Sequence, residues 1–384
     1  MLGVLTHRDG AEAPYAPSMS AADLPVAGVA CAVRAADALI AAGATELVGD
    51  GLTPAVRRGL RRRHPDRSLR LDGDAAADTV VADAGDTVTD EAPDGDRTGD
   101  HDRIVCVPST TVVDPAALEA AVRRRPAVVT RPSEPFDPLY GPEPRPVAVP
   151  ADALRGRPPT AALAVARDLA GEGGLDRVEC DRVADVRRPW ELLDATEWLL
   201  AGTDDPDDGF DGIERDLAGD VHPDAEVSGP VAVREGATLG PGAVVEGPAL
   251  VMPGANIGPN CYVRGNSYIS IDVNIGAAVE VKNSILLSNA KLPHLSYVGD
   301  SVVGPDANVG AGSLVANLRH DERPVRLGHA GSRVSTARRK FGVVVGEGAK
   351  LGIGTRLNVG TVVAPGATTR PGSTVFTDIG GERE

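Results

Sequence analysis

Lysine is nearly missing from this chain: four occur among 384 residues, Lys282, Lys291, Lys340 and Lys350, against 35 arginines. Acids outnumber bases, with 36 Asp and 19 Glu giving a formal charge of −16, an alphabet that reads as adaptation to a high-salt cytoplasm rather than to a basic partner. The four cysteines, Cys31, Cys106, Cys180 and Cys261, stand more than seventy residues apart. That spacing suits neither a disulfide framework nor a CxxC metal site, so they read as buried reduced thiols. No apolar run approaches the ~18 residues of a membrane span, and no basic stretch precedes an apolar one near Met1; the expectation is a cytoplasmic protein without a membrane partner.

The length exceeds the ~250 to 300 residues at which single cores stop growing, so two domains are expected. Their charges differ. Residues 1–225 carry 42 acids and 24 bases, whereas 226–384 carry 13 acids and 15 bases, so the second part is slightly basic in an acidic chain. Local basicity against that background favours an anionic ligand there.

Aliphatic residues recur at a six-residue step through Val221, Val227, Val233, Leu239, Val245, Val251, Ile257, Val263, Ile269 and Ile275. Period six is neither helical nor simple strand alternation, but it fits a coil with three flat sides, each turning one aliphatic side chain inward, with Gly and Pro at the corners. The frame shifts near Val281, resumes at Ile285, Lys291, Tyr297, Val303, Val309 and Val315, lapses from Asn317 to Phe341, and returns at Val345. The reading is a parallel β-helix over residues 221–378. The excursion 317–341 holds seven cations, Arg319, Arg323, Arg326, Arg333, Arg338, Arg339 and Lys340. Loops thrown out by a solenoid commonly build its binding face, and arginine suits bidentate phosphate contact. Nucleic acid is a poorer fit, because Phe341 is the one aromatic in the segment.

Residues 1–202 read as α/β. A helix over 32–42 precedes the strand signal at Thr45 to Val48; another strand, Arg103 to Val107, leads to a helix over 115–123. This alternation implies a largely parallel sheet. Residues 72–102 are expected to form mostly loop, and 203–220, opening Thr203-Asp-Asp-Pro, a linker.

The repeats resemble the hexapeptide family, which implies a left-handed coil and a homotrimer. Leu24-Pro-Val-Ala-Gly, Ala41-Ala-Gly-Ala-Thr-Glu-Leu-Val, Asp137-Pro-Leu-Tyr-Gly and the run from Asp185 through Arg187, Trp190 and Glu191 resemble the sugar-1-phosphate nucleotidylyltransferases, which implies a Rossmann-like first domain. The departures from that family concern its chemistry. Thr6-His-Arg-Asp-Gly replaces the glycine loop that cradles nucleotide phosphates, no lysine precedes Lys282, and Pro108-Ser-Thr-Thr stands where a magnesium-binding Asp belongs. Asp185 is the remnant candidate ligand, and Arg8 a possible compensating cation. Such a domain is expected to be inactive or severely weakened, with magnesium required only if it is active.

Three ordered motifs, Val279-Glu-Val-Lys-Asn-Ser, Pro293-His-Leu-Ser-Tyr-Val-Gly-Asp and Ala307-Asn-Val-Gly-Ala-Gly-Ser, resemble the acetyltransferase half of the bifunctional glucosamine-1-phosphate N-acetyltransferases and uridylyltransferases, especially archaeal ones. The resemblance implies His294 as general base, the Ala311 N–H as thioester oxyanion donor, and Asn308 and Asn317 as binding the sugar or orienting the amine. Arg264, Lys282, Tyr297 and Asn308 would contact the amino-sugar 1-phosphate. The basic excursion, through Arg323, Arg338, Arg339 and Lys340, would hold the coenzyme A phosphates, with acetyl-CoA as co-substrate and sites shared between subunits. Acyl transfer to an amine needs such a base and such donors. The acceptor stays open between the gluco and galacto epimers. So do two rival functions, a non-catalytic partner of an active nucleotidylyltransferase paralogue and a residual nucleotidylyltransferase.

Overall fold

The computed structural model describes residues 1–6, 12–50, 52–71, 103–124, 126–132, 145–155, 157, 161–171, 174–202, 212–329 and 331–380. The stretches 7–11, 72–102, 137–141 and 203–211, to which the glycine-loop, loop, Asp137 and linker readings refer, lie outside them.

From Asp216–Leu217 to Thr374–Val375 the chain winds into a parallel β-helix whose three faces are ladders of short strands. Each strand pairs with the one a turn later, as Val231–Val233 does with Ala249–Val251. The winding starts inside the stretch expected as linker, because Leu217 already takes a rung beneath Val233. Val233, Leu239, Val245, Val251, Ile257, Val263, Ile269, Ile275 and Val281 fill one enclosed core, each worth roughly 1.5–3 kcal/mol of apolar burial before chain entropy. We name the faces by their outer residues. The junction face includes Val231–Val233 and Ser267–Ile269, the lysine face Asn256–Ile257 and Lys291–His294, and the tyrosine face Tyr262–Arg264, Glu280–Lys282 and Tyr297–Gly299.

After Val281 the frame differs from the sequence expectation. Leu286, Leu292 and Val298 point into the core, while Ile285 faces the first domain, Lys291 is exposed and Tyr297 lies half-buried outside. Two shortened corners cause the slip. A full coil of three hexads separates Ala249 from its partner Ser267, whereas Ile285 pairs with Val302 and Glu280 with Tyr297, one residue fewer per turn. Both short corners join the tyrosine face to the junction face, at Asn283 and Asp300, which take left-handed backbone (φ 47° and 52°). Beneath them Ser284 and Ser301 form a buried rung: the Ser301 N–H donates to Ser284 Oγ (3.1 Å) and the Val343 N–H to Ser301 Oγ (3.0 Å). One turn later the same corner opens into the excursion.

The first domain is a seven-stranded sheet in the order Asp176–Glu179, Ala127–Thr130, Val147–Pro150, Arg103–Pro108, Leu2–Thr6, Glu46–Asp50, Ser68–Leu71. All neighbours are parallel except Val147–Pro150, which runs antiparallel to both of its own. Helices α1 (Cys31–Ala41), α2 (Pro54–Arg63), α3 (Pro115–Val122), α4 (Ala162–Gly171) and α5 (Pro189–Ala201) accompany it. Thr53 and Asp114 cap α2 and α3 by accepting from the N–H groups of Val56 and Ala116, with proline in each first turn. The α/β domain followed by a β-helix is the architecture expected from the sequence.

The two parts share a hydrophobic cluster. On the junction face Ala232, Leu250, Tyr268, Ile285, Val302 and Val344 form a continuous apolar ridge, packed in one cluster with Tyr15, Leu24, Trp190 and Leu193 of the first domain and Leu327 and Phe341 at the excursion. At the start of α5, Glu191 is enclosed with Arg145 (3.2 Å, 2% and 1% exposed). Burial pushes this carboxyl up, but Arg145, Arg188 and Arg131 outweigh it and hold Glu191 at about 2 against an ordinary 4.5. A depressed folded-state value stabilises above the unfolded one, so this contribution is complete above about pH 4.5 and is lost as pH falls toward about 2. Urea midpoints should fall through that window, and Glu191→Gln should flatten the slope while lowering the midpoint at pH 7. An unchanged slope would refute the assignment.

Candidate active site

The tyrosine face carries the best-organised polar cluster. Arg264 and Lys282 are ladder partners on it, and Gly299 occupies the next rung. That glycine makes the site possible, because a Cβ there would sit 2.3 Å from the Tyr297 hydroxyl and 3.0 Å from Asn317 Nδ2. Over its bare backbone Asn317 Nδ2 donates to Tyr297 Oη (3.0 Å) and to Asp300 Oδ2 (2.5 Å). Asp300, 3% exposed, also accepts from Lys282 Nζ (3.0 Å) and Asn283 Nδ2 (2.9 Å). Arg264 pairs with Glu280 (2.7 Å) and lies over the Tyr262 ring (5.3 Å). Burial, with the Asp300 and Glu280 carboxylates adding to it, pushes the Tyr297 phenol up, so its hydroxyl keeps a proton to donate.

His294 stands at the opposite edge of this face, on the corner from the lysine face. Its imidazole is exposed, and its carbonyl accepts from the Gly312 N–H (2.9 Å) and from Ser296 Oγ (3.0 Å). Ala277 and Ala311 occupy the same corner one turn before and after, as the bonds from Leu295 N–H to Ala277 O and from Gly354 N–H to Ala311 O show. These small neighbours leave the ring open to solvent. Ala311 is partly exposed, and among the described residues no hydrogen bond from its N–H is formed. Leu295, 67% exposed, holds left-handed backbone (φ 53°) where Asn260, Gly312 and Gly354 stand in other turns. A leucine there is strained, a condition that concentrates at functional sites.

The sequence-derived set therefore divides. Lys282, Tyr297 and Asn317 converge, with Arg264 beside them; His294 and Ala311 share the far edge; Asn308 lies around the corner on the lysine face, between Lys291 and Lys350. The excursion folds into a hairpin, Arg326–His329 against Ser332–Ser335, and leaves from the junction corner. Within one chain no contact joins His294 to its cations among the described residues. Arg323, Arg339 and Lys340 are exposed, Arg339 facing Glu322 at 3.4 Å. Arg338 is a correction: its guanidinium, 15% exposed, is clamped by Asp194 and Glu197 of α5 and is not free for a coenzyme phosphate. Asp185 is another. Fully buried, it is held by Arg187 Nε at 3.0 and 3.1 Å and by the Arg187 N–H at 3.1 Å, so an internal guanidinium supplies the positive charge. No group of three or more His, Cys, Asp or Glu able to hold a metal occurs among the described residues. Sequence reasoning missed Asp300, Gly299, Asn283 and Glu197; the available signal was the pair of shortened hexads at Asn283 and Asp300.

An α/β sheet domain joined to a parallel β-helix, with an ordered polar cluster on one β-helix face, is the class this architecture defines. Residues 245–365 match the family model described as the GMPPB C-terminal domain. A bifunctional sugar-1-phosphate nucleotidylyltransferase/acetyltransferase from Sulfurisphaera tokodaii is 38% identical over 162 residues, 42% of this chain and 38% of its own. Bifunctional proteins GlmU from Methanocaldococcus jannaschii and Methanococcus maripaludis are 41% and 48% identical over 166 residues, 43% of this chain and 38% of theirs. The chain thus spans well under half the length of the curated relatives it matches, and the similarity to those bifunctional proteins is confined to that part. A nucleotidyl transferase from Methanothermobacter thermautotroptrophicus overlaps 50% of this chain and 90% of its own at 17% identity and a TM-score of 0.33.

Proposed function

We propose that this chain is an acetyl-CoA-dependent N-acetyltransferase of an amino-sugar 1-phosphate, cytoplasmic and homotrimeric, serving nucleotide-sugar synthesis. The observation that carries the reading is the convergence of Lys282, Tyr297 and Asn317 over Gly299, on the face whose far edge presents His294 and the open Ala311 N–H. Lys282 and Arg264 would take the sugar phosphate, Tyr297 and Asn317 the sugar, and Asn308 a part of it reached only around the corner. The His294 imidazole would accept a proton from the amine as nitrogen attacks the thioester carbon, with the Ala311 N–H donating to the developing oxyanion. The carbon–sulfur bond then breaks and coenzyme A leaves as its thiol. Because Arg323, Arg339 and Lys340 lie toward the edge opposite His294, a neighbouring subunit's excursion is the natural source of the coenzyme phosphate contacts.

The test is thiol release from acetyl-CoA with glucosamine-1-phosphate and, separately, galactosamine-1-phosphate in multimolar potassium chloride. Transfer to at least one is expected, and none to either would end the reading. The same protein with magnesium, sugar-1-phosphate and each nucleoside triphosphate is expected to release no pyrophosphate, since Asp185 is committed to Arg187. Turnover near one per second there would instead support a nucleotidylyltransferase. Inactivity in both assays would favour a non-catalytic partner of an active paralogue.

A further inference from the structure

The polar cluster does not end at the cleft. Asn283 Nδ2 donates to Glu197 Oε1 (2.8 Å) as well as to Asp300 Oδ1 (2.9 Å), so one amide bridges a β-helix corner and helix α5 of the other domain. Glu197 also accepts from Arg338, at the root of the excursion, and Arg338 is shared with Asp194. Asp194 in turn receives Arg131 Nη2 (2.9 Å). The chain of contacts thus runs Arg131, Asp194, Arg338, Glu197, Asn283, Asp300, Lys282, with the Asn283 amide, rather than a cation, joining the Glu197 and Asp300 carboxylates.

This arrangement meets a specific mechanical need. Of the residues read as acceptor ligands, Lys282 immediately precedes one shortened corner, Tyr297 lies on the strand that enters the other, and Asn317 opens the excursion, so their side chains project where the coil departs from its eighteen-residue turn. A buried ion network seldom adds net stability, but it can specify one geometry. Here it lies directly behind the groups whose geometry matters. Asp300 cannot contact an anionic ligand favourably; with both oxygens engaged by Lys282, Asn283 and Asn317, it aims those side chains instead.

We propose that Asp300 and Glu197 are positioning residues of the acceptor site: Glu197 of the first domain fixes Asn283 and Arg338, and Asp300 so held orients Lys282, Asn317 and, through Asn317, Tyr297. The first domain thereby contributes to acetyl transfer without touching a substrate. The proposal rests on the acceptor-site reading above.

The experiment compares full-length wild type, Glu197→Gln and Asp300→Asn by steady-state thiol release and by amide hydrogen exchange. KM for the amino-sugar phosphate is expected to rise about tenfold or more in both variants, the size of a lost charge-assisted hydrogen bond, with KM for acetyl-CoA unchanged. Exchange should accelerate in Lys282 to Ser284, Gly299 to Ser301 and Asn317 to Arg319 while the regular coils 231–263 keep wild-type protection. Acceptor KM and local exchange both unchanged in Glu197→Gln overturn the proposal, as does a uniform loss of protection, which would reduce the network to a structural brace. Exchange needs no turnover. An inactive wild type with the localised exchange pattern would therefore sink the acetyltransferase reading alone and leave the mechanical coupling standing.

Discussion

Replacing His294 with Ala should cut acetyl transfer by roughly a hundredfold to ten-thousandfold, the usual contribution of a general base, without lowering the unfolding midpoint. The imidazole is exposed and has no side-chain hydrogen bond among the described residues, so truncation opens no cavity and orphans no polar group. The folded protein therefore keeps its stability while the amine loses its proton acceptor. Thiol release under saturating acetyl-CoA measures the effect, and circular dichroism melts give the control. A rate equal to wild type would remove His294 from the chemistry and shift weight to the non-catalytic partner.

Arg338→Ala should be the most destabilising single change in the polar network. Burial opposes charge on this guanidinium, but Glu197 and Asp194 outweigh it and hold the proton more firmly than usual. Removing it takes from Glu197, 25% exposed, its guanidinium partner and leaves the neighbouring Asp194, 15% exposed, with Arg131, so two carboxylates share less positive charge with little water to screen them. Breaking a buried pair from one side costs about 3–5 kcal/mol, read as a fall in the urea midpoint. Arg338→Lys should recover only part, because an ammonium lacks the planar fork that spans both carboxylates. A loss below about 1 kcal/mol would mean the cluster behaves as an ordinary surface pair.

What was legible in the sequence was whatever is local. An aliphatic residue every sixth position specifies a coil because each face needs only its own inward side chain, and proline-led caps mark α2 and α3. The one-residue slip after Val281 was harder. Ile285 and Leu286 are both aliphatic and adjacent strand residues face opposite ways, so hydropathy alone could not tell which was enclosed. His294 and Tyr297 read as one motif, yet the corner at Leu295 puts them on different edges of a face. Arg338 looked like its neighbour Arg339, because the carboxylates that bury it lie 144 and 141 positions away.

The ridge from Ala232 to Val344 bears on why the first domain persists whatever chemistry it performs. Excision of the domain would wet a row of side chains, the Leu, Ile and Val among them each worth on the order of 1.5–3 kcal/mol, and leave the prism with an adhesive flank. A side domain that seals such a flank is held in place by packing whatever its own chemistry, because the prism that carries the polar cluster depends on the cover.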